Sequence, residues 1–134
     1  MLKPTNTDYL FKFSIVTAVY NVEAYLSEAI DSILSQDIGF IESVELILVD
    51  DGSTDASGAI CDEYQHKYPE NIVVIHKPNG GVASARNAGI AVARGRYVNF
   101  MDSDDKLTPD TLSSVYDFFI EHDKEVDLVS VPIF

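Results

Sequence analysis

The chain has 134 residues, and 22 Asp and Glu against 9 Lys and Arg give it a formal net charge of −13 at pH 7. This acidic balance argues against a protein that binds nucleic acid or an anionic membrane surface, because clustered Lys and Arg recognise both. The length predicts one domain, and the single Cys excludes a disulfide framework. No apolar run approaches the roughly 18 residues of a membrane span, so we expect a cytoplasmic chain.

Strand and helix patterns alternate after a polar lead-in, which we expect to be flexible over residues 1–12. The β-rich apolar runs that predict strands lie at residues 14–20, 45–49, 72–75, 97–101 and 126–131. Apolar residues at helical spacing predict four helices between these strands. The first covers residues 25–34, and the second begins after a cap at residues 53–55. The third covers residues 82–94 and ends at Gly95, and the fourth begins at Thr108 and Pro109. Five strands alternating with four helices predict an α/β domain with a mainly parallel sheet.

Apolar spacing also predicts which residues the helices bury. The second helix is expected to bury Ala59, Ile60 and Tyr64, and Cys61 beside them is read as a core residue rather than a nucleophile. The inner face of the fourth helix is expected to carry Leu112, Val115, Tyr116, Phe119 and Ile120.

Two acidic motifs follow predicted strands. The Asp-Ser-Asp sequence at residues 102–104 offers hard oxygen ligands suited to Mg²⁺ or Mn²⁺, or else forms a solvated turn that caps the next helix. The Asp-Asp-Gly-Ser sequence at residues 50–53 offers acceptors for a base or a ribose hydroxyl, or else forms a common turn with a Ser cap. Because parallel strands end at the same edge of a sheet, we expect both motifs to face one crevice.

A Gly-rich turn at residues 79–81 precedes the third helix. Exposed backbone N–H groups and the helix dipole make such a turn a candidate anion site, and Arg86 could add a phosphate contact. The alternative is an ordinary turn followed by a close-packed helix of small residues.

Four motifs occur in a fixed order: SIVTAVYN at residues 14–21, VDDGSTD at 49–55, NGGVASARNAG at 79–89 and YVNFMDSDD at 97–105. Together they closely resemble the nucleotide-sugar half of family 2 glycosyltransferases, which are inverting enzymes of the GT-A fold. The likeness runs from about Phe13 to the end of the chain. It implies a Rossmann-like GT-A domain over residues 13–134 that is truncated on its C-terminal side.

The resemblance implies roles for residues at the ends of the first two strands. Thr17, Ala18, Tyr20 and Asn21 match the first-strand motif whose loop lines the nucleotide pocket. Ala18 stands where many relatives have Pro, a difference that affects loop stiffness more than chemistry. Asp51 matches the carboxylate that holds the uracil or other base.

The resemblance also implies a metal site after the fourth strand. Asp104 matches the direct ligand of Mn²⁺ or Mg²⁺, and Asp102 matches the acid directed towards the ribose or a metal-bound water. Ser103 lies between them in the same motif. The loop and helix near the donor are matched by Asn79, Gly80 and Arg86.

The implied reaction transfers a sugar from a nucleotide-diphospho-sugar, with UDP-sugars favoured, to an acceptor hydroxyl with inversion of configuration. The acceptor is expected to be a saccharide or a lipid-linked molecule in bacterial surface polysaccharide synthesis. The general base of the family lies on a later segment, which we expect beyond Phe134, so this chain should bind the donor but transfer sugar poorly. For the full-length protein we expect a position in the cytoplasm, peripheral at the inner face of the cell membrane.

Two other functions also fit parts of the sequence. One is a nucleotide-sugar-binding module without catalysis. The other is a response-regulator receiver domain, which is also an acidic α/β domain of this size. A receiver needs an Asp pair after the first strand and a Lys after the fifth, whereas this chain has Tyr20 and Asn21 in the first position and Pro132 in the second.

Overall fold

The structure of the protein, a computed structural model, describes residues 9–122. Four parallel strands form one sheet in the order β3-β2-β1-β4. The strands are β1 (Phe11–Val19), β2 (Val44–Asp50), β3 (Ile72–His76) and β4 (Gly95–Phe100). The helices are α1 (Leu26–Leu34), α2 (Phe40–Ser43), α3 (Ser57–Lys67), α4 (Val82–Val92) and α5 (Thr111–His122).

Helices cover both faces of the sheet, which explains why its two central strands, β1 and β2, are mostly buried. Every residue of β2 is buried, as expected for a parallel strand with helices on both sides. The larger core packs α1, α3 and α5 against one face, and the smaller core packs α4 against Val16, Ile47 and Val49 on the other. The predicted α/β class and parallel sheet are confirmed.

Helix α4 lies close to β1 because its contact residues are small. Ala85 and Gly89 are buried in this contact, and a Cβ atom on Gly89 would overlap the side chain of Val16. The small residues of the third predicted helix therefore serve close helix–sheet packing. This is the structural role that the sequence offered as an alternative to an anion site.

Four features differ from the sequence predictions, and long-range contacts explain three of them. Strand β1 begins at Phe11 rather than after a lead-in ending at residue 12, because Phe11 pairs with Gly95 of β4. Gly95 opens that strand instead of ending α4, which stops at Val92. Helix α5 begins at Thr111 rather than at residue 108, and the short helix α2 was not predicted.

The late start of α5 has a visible cause. The Gln36 side chain donates to the Thr108 carbonyl and accepts a hydrogen bond from the Leu112 N–H, so it binds the chain before α5 and caps the helix.

The prediction that Ala59 and Ile120 face the core is wrong, since Ala59 is exposed and Ile120 is 49% exposed. The predicted strand at 126–131 lies outside the described residues. None of the helices within 9–122 has the length and apolar character of a membrane span.

Candidate functional site

The two acidic motifs lie at the carboxyl ends of β2 and β4, the strands on either side of β1. A pocket of about 240 Å³ opens at this edge of the sheet. Its lining residues come from the ends of β1 and β2 and the loops that follow them, the turn after β4 and the start of α4: Ala18, Tyr20, Val22, Asp51, Val82, Asp102, Ser103 and Asp104. The predicted convergence of Asp51 and Asp104 on one crevice is therefore observed.

Asp51 is a buried carboxylate with three hydrogen-bond donors. It accepts from Lys77 Nζ at 2.7 Å, the Gly80 N–H at 3.0 Å and the Gly81 N–H at 2.9 Å, and its side chain is 5% exposed. The hydrogen bond from Lys77, with those from the two glycines, lowers the pKa of Asp51 despite its burial. Two carboxylate oxygens offer about four acceptor positions, so one remains free for a ligand.

The turn after β2 is built to bring Asp51 to the pocket. Gly52 adopts φ +80°, and a Cβ atom there would lie 2.8 Å from the Asn79 backbone nitrogen. The Asn79 side chain donates to the Asp51 carbonyl at 3.1 Å. The backbone of Gly80 serves Asp51 rather than pointing to open solvent. The residues predicted near the donor at 79–80 thus contact Asp51, and they do not line the pocket themselves.

Asn21 joins two loops behind the pocket. Its φ is +49°, and its Oδ1 accepts the N–H groups of Thr54 at 2.8 Å and Asp55 at 3.3 Å. Its own N–H donates to Ser53 Oγ at 3.1 Å. The side chain is thus occupied in holding the β1–α1 loop against the turn after β2, and Asn21 is not among the pocket-lining residues.

Thr17 also lies behind the pocket. Its residue is 1% exposed, and its Oγ1 has no hydrogen-bond partner among residues 9–122. On β1 it lies on the same face as Phe13, Ile15 and Val19, which belong to the larger core. Of the first-strand residues predicted to line the site, Ala18 and the 48%-exposed Tyr20 do so, whereas Thr17 and Asn21 support them from behind.

The acids after β4 form a loosely held cluster. Asp102, Asp104 and Asp105 each place a carboxylate oxygen within 4.8 Å of the others, with Asp102 and Asp104 exposed. Burial, and then repulsion from Asp104 and Asp102, raises the pKa of Asp105. Exposed carboxylate oxygens at this spacing are the donor set that Mg²⁺ or Mn²⁺ prefers, so these residues fit the implied cation.

Arg86 lies beside this cluster, outside the lining of the pocket. Its Nη2 is 3.4 Å from Asp102 Oδ1, and its guanidinium lies over the Phe100 ring, 5.2 Å from the centroid. Both partners of the ion pair are largely exposed, so the pair contributes little to stability. A guanidinium at the edge of an acidic cluster is nevertheless placed to meet an incoming phosphate.

Sequence reasoning missed two residues of this rim, His76 and Lys77 at the end of β3. Asp50 pairs with His76 in the β2–β3 register, so the acid pair and the basic pair end adjacent parallel strands together. The signal was available in the sequence, since a His-Lys pair follows the third predicted strand as the Asp pair follows the second.

Comparison with known proteins identifies the family. Residues 14–134 match the family model described as Glycosyl transferase family 2. The chain belongs to this family. It is 53% identical over 124 residues to the minor teichoic acid biosynthesis protein GgaB of Bacillus subtilis, covering 92% of this chain and 14% of GgaB.

Solved structures agree with this assignment. TarS of Staphylococcus aureus, crystallised as residues 1–349 with UDP-GlcNAc, superposes with a TM-score of 0.77 at 35% identity, covering 91% of this chain and 37% of that one. The complex of the same protein with UDP gives a TM-score of 0.76 at 33% identity. The family 2 chain described here has the GT-A fold of TarS. It spans well under half the length of these relatives.

The strand order separates this fold from a receiver domain. Receivers have the flavodoxin-like order 2-1-3-4-5, in which the first strand lies between the second and the third. Within residues 9–122, β1 lies between β2 and β4, and β3 lies beyond β2, which matches the first four strands of the dinucleotide-binding order 3-2-1-4-5-6. The receiver alternative is therefore excluded.

Proposed function

We propose that this chain binds the nucleotide-diphospho-sugar donor of a glycosyltransferase, with UDP-sugars favoured. The observation that carries the proposal is that Asp51, Asp102 and Asp104 line one pocket. TarS, a relative at about a third sequence identity, has been crystallised with UDP and with UDP-GlcNAc, which supports a uridine nucleotide as the ligand.

The nucleotide base is proposed to bind at the Asp51 end of the pocket. Asp51 has one free acceptor position, which suits an imide N–H such as that of uracil. Tyr20 is half exposed on the pocket wall, where its ring offers a surface on which a base can stack. A cytosine base presents no N–H at the corresponding position, so this arrangement favours uracil or thymine over cytosine.

The diphosphate is proposed to bind at the acidic end of the pocket through a divalent cation. Asp104 would hold the cation directly, and Asp102 would hold a metal-bound water or the ribose. A bound Mn²⁺ or Mg²⁺ supplies charge neutralisation to the leaving diphosphate. Arg86 would approach the phosphates from the side of Asp102.

The reaction we propose is direct displacement at the anomeric carbon by an acceptor hydroxyl, with inversion. The three carboxylates that the described residues supply to the pocket are all used in binding the donor. The base that deprotonates the acceptor is therefore assigned to a residue outside this set. GgaB, which is named for minor teichoic acid biosynthesis, supports a cell-surface polysaccharide acceptor. We propose that the whole protein acts at the inner face of the membrane.

Calorimetry with UDP-, GDP- and dTDP-sugars, each with and without Mn²⁺, tests this proposal. We expect binding of a UDP-sugar that strengthens when Mn²⁺ or Mg²⁺ is added, with little transfer of sugar by this chain alone. A chain that ignores every nucleotide with either cation would contradict donor binding. Efficient transfer by this chain would contradict the expectation that it binds the donor but transfers sugar poorly.

A further inference from the structure

His76 lies at the carboxyl end of β3, outside the pocket and between two carboxylates. Its Nδ1 is 2.8 Å from Asp50 Oδ2 at the end of β2, and its Nε2 is 2.8 Å from Asp62 Oδ1 on α3. A carboxylate only accepts hydrogen bonds, and a neutral imidazole has a single N–H. Both contacts are therefore hydrogen bonds only when the ring is a protonated imidazolium.

The Asp50–His76–Asp62 clamp reaches both sides of Asp51. Asp50 Oδ1 accepts the Ser53 N–H at 3.0 Å, which shapes the turn that follows Asp51. The Asp50 carbonyl accepts the Lys77 N–H at 3.0 Å, and the Lys77 side chain in turn donates to Asp51. The imidazolium thus holds together the two strand ends from which the base-binding carboxylate and its main donor extend.

Gly58 provides the space for this clamp. A Cβ atom at Gly58 would lie 2.8 Å from Asp50 Oδ2 and 3.5 Å from His76 Cε1. Gly within a helix costs about 1 kcal/mol relative to Ala, so α3 carries a helix-weakening residue where the clamp needs room. The clamp is therefore accommodated by a second element of the fold.

The groups that face His76 favour the charged ring. Hydrogen bonds to Asp62 and then Asp50 raise the pKa of His76 against the opposing effect of burial. The third titratable group on this side is the Cys61 thiol of α3, whose pKa burial raises to about 12, so it is neutral. The neighbouring Lys77 directs its ammonium to Asp51 and the Pro78 carbonyl.

We propose that His76 is a positioning residue of the donor site, whose imidazolium keeps Asp50 and Lys77 in the arrangement that presents Asp51 to the nucleotide. The proposal rests on the proposed function. Loss of the proton removes one of the two hydrogen bonds, so the affinity for nucleotide falls as the pH rises through the folded pKa of His76. By thermodynamic reciprocity, a bound nucleotide raises that pKa.

The test combines ring NMR with calorimetry on the 134-residue chain in Mg²⁺. The pKa of His76 is measured free and with saturating uridine, which is uncharged, so a rise does not come from phosphate charge. UDP affinity is measured from pH 6 to 9 for wild type, His76→Gln, Asp62→Asn and the control His66→Gln, an exposed histidine of α3. The His76→Gln profile shows the contribution from titration of UDP itself.

We expect uridine to raise the pKa of His76 and wild-type UDP affinity to fall about fivefold or more relative to His76→Gln across that range. Asp62→Asn should shift the fall to lower pH, and His66→Gln should follow wild type. The Asp62 side chain is 58% exposed, so we expect Asp62→Asn to fold. The pH profile of its UDP affinity tests the inference if His76→Gln does not fold. The inference about His76 is overturned if UDP affinity depends on pH in the same way in wild type and in the variants His76→Gln and Asp62→Asn. It is also overturned if uridine leaves the pKa of His76 unchanged. Either result leaves the proposed function intact. A wild-type chain that binds neither uridine nor UDP at any pH overturns the proposed function as well.

Discussion

The acids at the end of β2 and the acids after β4 are chemically alike but physically different. Asp51 is buried and accepts three hydrogen bonds, one of them from a lysine. The side chain of Asp102 is 63% exposed and has a guanidinium at 3.4 Å, while Asp105 is repelled by its neighbours. The protein thus compensates the charge of Asp51, whereas at the other end of the pocket the cluster of three carboxylates has the guanidinium of Arg86 at only one of its members, Asp102.

This difference suggests a division of labour at the rim. A carboxylate held by backbone N–H groups keeps one geometry and selects a ligand by its hydrogen bonds. A cluster of exposed carboxylates gains most when a cation binds, because the cation relieves the repulsion among them. Substitutions of Asp51 should therefore reduce stability, and substitutions of the acids after β4 should alter cation-dependent affinity more than stability.

The largest effect is expected from Asp104→Ala on cation-dependent binding. Loss of a direct ligand should weaken UDP binding in Mn²⁺ by about 100-fold, since even outer-shell changes at metal sites cost about 10- to 100-fold. Calorimetry with and without Mn²⁺ measures the effect. Asp117→Asn removes an exposed acid of α5 and serves as the charge control. Unchanged Mn²⁺ dependence in Asp104→Ala would assign the ligand role to another residue.

At the end of β2, Asp51→Asn should reduce the free energy of unfolding by about 2 kcal/mol at pH 7. The amide loses the charge that balances Lys77, and its NH₂ group faces donors in place of an acceptor. Urea denaturation measures the change. Asp102→Asn should leave stability within about 0.5 kcal/mol, because its carboxylate is exposed. Equal losses in the two variants would remove the distinction between the two ends.

The same contrast predicts a pH dependence. Because the folded-state pKa of Asp51 lies below its ordinary value of 3.8, its stabilisation is present above pH 3.8 and is lost as the pH falls through the folded pKa. The difference in unfolding free energy between wild type and Asp51→Asn should therefore shrink below pH 3.8. Denaturation curves at pH 7, 4 and 3 measure it. A constant difference over that range would mean that ionisation of Asp51 contributes nothing.

Much of this rim could be predicted from sequence, because strand ends in a parallel sheet share one edge. That rule predicts that Asp51 and Asp104 lie at the same crevice. The same rule does not predict that Thr17 is buried or that Asn21 Oδ1 accepts the N–H groups of Thr54 and Asp55. Those facts depend on side-chain direction and loop geometry. Lys77 follows β3 as Asp51 follows β2, but their contact depends on β3 being the neighbour of β2, which the sequence did not establish.

Asn21 should affect stability through both its backbone and its amide. Asn21→Gly keeps a residue suited to φ +49° and loses the hydrogen bonds, whereas Asn21→Ala also incurs the left-handed strain. The Ala variant should be less stable than the Gly variant by about 1 kcal/mol. The same pair at Asn87, an exposed position within α4, should rank in the opposite order because Ala favours helix. Thermal unfolding of the four variants measures both rankings.

The smallest effect on stability is expected for Asp105, in the acidic cluster after β4. Asp105→Asn removes a charge that burial and two neighbouring acids oppose, so the chain should become more stable by about 0.5 kcal/mol at pH 7 without divalent cations. Adding Mg²⁺ should reduce this advantage, because the cation relieves the same repulsion in wild type. Denaturation with and without Mg²⁺ measures the two differences, and Asp117→Asn should show neither. A destabilised Asp105→Asn would mean that this carboxylate holds the turn rather than crowding it.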